Sequence, residues 1–176
     1  MRGETNRLKL EEWMIAMGSK LKSPSRIYLV GGATAVYEGW RSSTIDIDLK
    51  AEPEPTGFYE ALAETKETHD LNIELASPEQ FIPELPGWRE RSPFLVRHGV
   101  TDFYAYDFYS QALAKLERGH PRDMDDVRAM RKAEKIRPEM LHEFFLQIEP
   151  SLVRFPAIEP AAFAASINAF CAEKNE

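Results

Sequence analysis

The stretch from Leu29 to Leu49 constrains the fold more than any other part of the chain. It reads Leu-Val-Gly-Gly-Ala-Thr-Ala-Val-Tyr-Glu-Gly-Trp-Arg-Ser-Ser-Thr-Ile-Asp-Ile-Asp-Leu. An apolar strand runs into a Gly-Gly turn, a short helix follows, and a second strand carries Asp46 and Asp48. Side chains two apart on a strand point to one face, so both carboxylates converge beside the glycine turn. Gly31 and Gly32 let the backbone come close to a phosphate, and the helix they open directs N–H groups at anions. Two carboxylates on one face form a hard-oxygen site suited to Mg²⁺. A phosphate cradle beside such a site points to nucleotide chemistry.

The rest of the chain fills in around this unit. Leu10, Trp13, Met14, Met17 and Leu21 recur at helical spacing and predict an amphipathic helix over 6–22, ended by Ser23-Pro24-Ser25. Arg26 to Val30 is a short buried strand and Ala33 to Trp40 a helix. Thr44 to Lys50 is a strand with Ile45, Ile47 and Leu49 inward. Phe58 to Thr68 is a helix with Phe58, Leu62 and Thr65 facing the core. Leu71, Ile73 and Leu75 share one face of a third strand, and Asn72 and Glu74 share the other. Three prolines and a glycine make 78–88 an ordered loop. Phe94 to Arg97 and Phe103 to Asp107 form a hairpin around His98-Gly99. Helices follow over 110–118, 122–135, 138–148 and 160–172, the first closed by Gly119 and Pro121. This order predicts an α+β fold, a mixed sheet with flanking helices and a helical C-terminal part. The domain expectation is a sheet-containing domain over 1–135 and a helical extension over 136–176 packed on it.

With 176 residues and a single cysteine, Cys171, the chain has no internal disulfide and no cysteine-based zinc site. No run is long enough to span a bilayer, and the N-terminus lacks the apolar stretch of a signal peptide, so a reducing cytoplasm is the expected location. Charge is unevenly spread. Eleven acidic and two basic residues lie between Ser42 and Pro86, and eleven basic and eight acidic between Gly87 and Arg137. The net charge of −7 argues against a broad nucleic-acid-binding face but not against a local one. The four histidines lack metal-ligand spacing. The aromatic run Phe103 to Tyr109 reads as a packed strand entering a helix rather than as a base-stacking surface.

Gly31-Gly32, a spacer of about a dozen residues, and Thr44-Ile45-Asp46-Ile47-Asp48 together resemble the signature of the DNA-polymerase-β-like nucleotidyltransferase superfamily. The segment Gln111 to Val127, with Lys115, Arg118 and Arg122-Asp123-Met124-Asp125-Asp126, is similar to the Lys…Arg…Arg-Asp-x-x-Asp segment of its AbiEii-type branch. That branch includes toxin components of bacterial toxin–antitoxin and phage-defence systems. The resemblance, which also extends to small uncharacterised bacterial members, covers about Arg26 to Met130.

The resemblance implies an enzyme that transfers NMP from an NTP to a hydroxyl acceptor on an RNA end, a protein or a small molecule. The alternative is an inactive module of the same fold that serves a partner protein. Two Mg²⁺ ions, or Mn²⁺ in their place, would sit about 3.5–4 Å apart on Asp46 and Asp48. Glu74 is the third carboxylate, where Asp is more usual, and the group to take the acceptor's proton. Gly31, Gly32 and Thr44 would face the triphosphate, with Arg41 in reach. Lys115 and Arg118 share a helix face and would neutralise phosphate charge, with Asp126 orienting Lys115 or Arg122. Many active relatives carry serine where this chain has Gly32; the hydroxyls of Ser42, Ser43 and Thr44 are the substitutes at hand. An antitoxin protein is the partner that the toxin-like branch implies.

Overall fold

The computed structural model describes residues 2–174. Its first helix, α1 (Arg7–Lys20), starts at Asn6, whose side chain accepts the Lys9 N–H at 2.9 Å. That bond satisfies one of the free donors at the helix start, a contribution of about 1 kcal/mol. Leu10, Trp13, Met14 and Met17 form the stripe the spacing predicts, and all are buried, as is Leu21 just beyond the helix.

Five strands form a mixed sheet: β2 (Ser25–Val30), β4 (Asp46–Ala51), β5 (Asn72–Leu75), β6 (Phe94–His98) and β7 (Thr101–Ala105), in the order β5-β4-β2-β7-β6. β2 runs antiparallel to β4 and parallel to β7; β4 and β5 are parallel, and β6 and β7 make the expected hairpin. Two short strands, β1 (Thr5–Asn6) and β3 (Ser43–Thr44), pair separately.

Alternation divides the sheet into two faces. Ile27 and Leu29 of β2, Ile47 and Leu49 of β4 and Phe103 of β7 share one face. They pack with α1, α2 (Gly31–Glu38) and α3 (Phe58–Thr68) into one core. Burying each large side chain contributes about 1.5–3 kcal/mol. Trp13 keeps its polar atom satisfied there: its indole N–H donates to Thr65 Oγ1 at 3.1 Å, and Thr65 donates to the Ala61 carbonyl at 2.8 Å. Thr65 faces the core for that reason. The other face of the sheet carries the polar residues of β4 and β5.

One inward assignment needs correction. Ile45 is half exposed, because it lies between β3 and β4, where the chain leaves one ladder and enters another and no strand pairing orients it. Leu75, at the end of the edge strand β5, is exposed although Leu71 is buried. The segment 78–88 is mostly irregular, as its prolines require. It contains a short 3₁₀ turn, Pro78–Gln80, and leads into a four-residue helix, α4 (Trp88–Arg91), that its composition does not announce.

Helices then follow: α5 (Phe108–Arg118), α6 (Pro121–Lys132), α7 (Pro138–Ile148) and α8 (Pro160–Ala172). Asp107 caps α5, accepting N–H bonds from Tyr109 and Ser110, and Gly119 ends it in the left-handed region that glycine adopts without strain. Phe145 and Phe163 meet edge to face at 5.0 Å between α7 and α8, and Tyr109 lies 4.9 Å from Phe144.

Contacts divide the chain into two compact units. One holds the chain up to Ser77 with Ser92–Tyr106, hence the whole sheet; the other holds Pro78–Arg91 and everything from Asp107 onward. α5 and α6 fall with α7 and α8 in this division. Among the described residues no helix is long and apolar enough to cross a membrane.

Candidate active site

The sheet unit brings most of the expected residues together. β2 ends at Val30, which lies opposite Asp48 on β4, and Asp48 lies beside Glu74 on β5. Residues paired across neighbouring strands point to the same side. Val30, Asp48 and Glu74 therefore form one row, and Asp46 shares their face beside Asn72. Asp46 and Asp48 are half-buried, and Glu74 is exposed.

Gly31 turns the chain directly from β2 into α2 at φ +60, a conformation that residues with a Cβ rarely hold. Among the described residues, the one atom within 4 Å of a Cβ built there is Asp48 Oδ2, at 3.1 Å. The missing side chain lets the Asp48 carboxylate approach the start of α2 closely. The positive end of the helix dipole favours anionic groups in that position.

Gly32 is required for a different reason. A Cβ at residue 32 would collide with Thr44 Oγ1 and stand 2.9 Å from Thr44 Cβ, with Arg41 Nη1 at 3.3 Å. The volume of a side chain on residue 32 is thus filled from β3 by the Thr44 hydroxyl, with the Arg41 guanidinium next to it. Of the three hydroxyls that the sequence offers, Thr44 is the one in this place. It is buried and donates to the Asp46 carbonyl at 3.1 Å.

The donor set suits a hard divalent cation. Among the described residues no group of three His, Cys, Asp or Glu side chains is gathered to hold a metal ion. Mg²⁺ does not need such a cage: it is commonly held by one or two carboxylates, with waters and substrate phosphates completing its shell. Asp46 and Asp48 on one face, beside the glycine turn at the start of α2, fit that mode. Glu74 is adjacent in register but is not drawn in as a third ligand.

The remaining expected residues lie in the helical unit. Lys115 is 7% exposed and is held between two carboxylates, at 2.7 Å from Asp126 and 3.3 Å from Asp123. Arg118 clasps Asp123 with two N–H bonds at 2.6 and 2.7 Å. This is a neutral, largely buried network of two cations and two anions joining α5 to α6. Burial pushes the Asp123 pKa up, but the Arg118 hydrogen bonds and the Lys115 charge outweigh it, so the carboxyl titrates below its usual range. Asp126 orients Lys115, as expected, whereas Arg122 is exposed. Asp123 carries more of the network than its place in the sequence suggests. A signal was present: Lys115 with Asp126, and Arg118 with Asp123, are placed symmetrically about the turn at His120-Pro121, as partners across a helical hairpin must be. His120 stands at the start of α6, 3.7 Å from Asp123.

A protein-family model described as "Nucleotidyltransferase of unknown function (DUF6036)" matches residues 8–158. The chain belongs to this family. The match is longer than the motif-bearing region and takes in α1, α7 and both units. Comparison with curated proteins and with solved structures gives no match. Within the family, the Asp-x-Asp strand and the Gly-Gly turn of this member are the features that its geometry brings side by side.

Proposed function

We propose that this DUF6036 member is a Mg²⁺-dependent nucleotidyltransferase. An acceptor hydroxyl attacks the α-phosphorus of an NTP; the new O–P bond forms as the bond to the β-phosphate oxygen breaks, pyrophosphate leaves, and NMP stays on the acceptor. The observation that carries this reading is the row Val30, Asp48, Glu74 beside the positive-φ Gly31.

Asp46 and Asp48 hold the metal together with the incoming triphosphate. The ion, when bound, offsets charge on the transferring phosphoryl group and on the leaving oxygen. Gly31 and the start of α2 receive phosphate oxygens through backbone N–H groups. Thr44 and Arg41 line the same place. Glu74, exposed beside Asp48 in register, takes the proton of the attacking hydroxyl. Arg118, in the helical unit, is more than half exposed and clasps Asp123. Lys115 and Asp126 serve by holding α5 to α6.

The test is transfer of label from each α-³²P-NTP, with Mg²⁺ or Mn²⁺, to RNA, protein or small molecules of a cell extract. Asp46→Asn and Asp48→Asn variants that stay folded lose transfer. The second reading, an inactive module acting with a partner protein, draws on Glu74, a glutamate where aspartate is more usual, lying exposed on the edge strand β5. It predicts no transfer by the wild-type chain and unchanged partner affinity in both variants.

A further inference from the structure

The sheet face that carries the carboxylates also carries aromatic and basic residues on its other half. Tyr28 of β2 lies opposite Lys50 of β4 and beside Tyr104 of β7, and Tyr104 lies opposite Phe94 of β6. All four share the face of Asp48, because Val30, two residues from Tyr28, pairs with Asp48. Tyr28 and Tyr104 are stacked at 5.2 Å, and Phe94 meets Tyr104 edge-on at 5.7 Å. Tyr28 is buried, Tyr104 half-buried, and Phe94 56% exposed on the edge strand β6. The exposed Arg26 guanidinium lies 5.7 Å from the Tyr104 ring and is hydrogen-bonded with Tyr28.

A lone exposed phenylalanine needs no explanation. This one ends a continuous row of rings, with an arginine over it, on the face of a candidate transferase site. Charge sets the kind of occupant. Arg97 clasps Asp102 with two N–H bonds at 2.5 and 2.9 Å, so the carboxylate nearest the row is already neutralised. Arg26, Lys50 and Arg97 outnumber Asp102 and Glu52 there. Aromatic faces for stacking beside cations for phosphates are the two components of a single-stranded nucleic-acid platform. The length also fits. Two strands separate β4 from β6, so Asp48 and Phe94 lie about 16 Å apart at normal strand spacing and rise. A small acceptor whose hydroxyl is at the carboxylates does not reach Phe94. A strand of several nucleotides, at about 3.4 Å per stacked base, does.

We infer that the acceptor of the proposed transfer is the end of a single-stranded nucleic acid, with a base several nucleotides upstream stacked on the exposed Phe94 ring, which Tyr104 and Tyr28 back, and its phosphate held by Arg26. This inference rests on the nucleotidyltransferase reading for the acceptor role, while the binding surface stands on its own geometry. It is a local patch, compatible with the chain's acidic charge.

The experiment is fluorescence anisotropy of the full chain with labelled oligoribonucleotides and oligodeoxyribonucleotides of mixed sequence, at about 50 mM and about 200 mM salt. The variants are Phe94→Ala, Phe94→Leu, Arg26→Gln and Phe81→Ala. Phe81 is an equally exposed control in the helical unit. The expected result is binding by wild type that weakens with salt. Loss of affinity should be about tenfold or more in Phe94→Ala, Phe94→Leu and Arg26→Gln, and absent in Phe81→Ala. Phe94→Leu keeps the apolar contact and removes the ring, so it serves if the alanine variant misfolds. A preference between the two oligonucleotide types names RNA or DNA. Failure of wild type to bind either at low salt, or equal binding by the Phe94 variants, overturns the inference. So does label transfer to protein alone that Phe94→Ala leaves intact. If oligonucleotides bind as described but no NTP binds with Mg²⁺, the platform stands and the transferase reading falls.

Discussion

Thr44 occupies the space that a side chain on residue 32 would fill. A Cβ at Gly32 would collide with the Thr44 hydroxyl and lie 2.9 Å from Thr44 Cβ. The second glycine of the turn is thus fixed by a neighbour from β3, not by backbone strain, since its φ is not among the positive ones.

The exchange can be tested directly. Gly32→Ser should destabilise the chain by about 1–3 kcal/mol through overpacking, lowering Tm by about 2–4 °C for each kcal/mol. Adding Thr44→Gly should return most of that loss, because the serine then enters the vacated volume. Thermal unfolding of the two single variants and the double variant gives the coupling. Additive losses would show that Thr44 and residue 32 do not compete for space.

Lys115 is the second prediction. Removing its charge in Lys115→Met takes the Lys115 cation away from both buried carboxylates, Asp126 and Asp123. The expected cost is about 3–5 kcal/mol in urea unfolding. Combining it with Asp126→Leu should recover a large part, since apolar replacement of a buried pair is often close to neutral. Arg118→Gln, at a side chain more than half exposed, should cost well under the Lys115 variant. If Lys115→Met unfolds like wild type, the network does not hold α5 to α6.

The same network sets an acid limit. Asp123 has a folded pKa below its unfolded value, near 3.9. Between those two values the unfolded chain binds the extra proton, so stability rises with pH there. The contribution is complete above the unfolded pKa and is lost as pH falls through the folded one. Urea unfolding from pH 6 to pH 2 should show this loss in wild type and a shallower slope in Asp123→Asn. An equal slope in both would contradict the assignment.

The cap at Asp107 gives a fourth outcome. Its buried carboxylate accepts two backbone N–H bonds at the start of α5, the Ser110 hydroxyl at 2.7 Å, and two Arg91 N–H bonds at 2.8 and 3.1 Å. Asp107→Ala should cost at least the ~1–2 kcal/mol of a lost cap, and more from the lost pair with Arg91, in urea unfolding. Asp107→Asn should retain part of the cap. A loss below about 0.5 kcal/mol would rule out the cap as a fixed point of α5.

Much of this was legible from local pattern. Apolar spacing gave α1 within two residues at each end, and the bounds of α3, α7 and α8 follow from Phe58, Pro138 and Pro160, where helix-starting residues meet apolar periodicity. The same alternation that predicts strands placed Asp46 and Asp48 on one face. It failed at Ile45, because a two-residue strand, β3, interrupts the pattern and its pairing with β1 is long-range. It also failed to single out Asp123 and Thr44. Their roles depend on partners brought close by a helical hairpin and by the packing of β3 against α2, and single-residue spacing does not encode such meetings.

The most direct measurement of the central claim is thermal unfolding of wild type, Asp46→Asn and Asp48→Asn with each of the four NTPs, with and without Mg²⁺. An NTP at 100 times its Kd adds about 2.7 kcal/mol, a rise of about 5–10 °C for a chain of this length. The account predicts a Mg²⁺-dependent rise with at least one NTP in wild type and its loss in both variants. No rise with any NTP at millimolar concentration, or an equal rise in the variants, would contradict it.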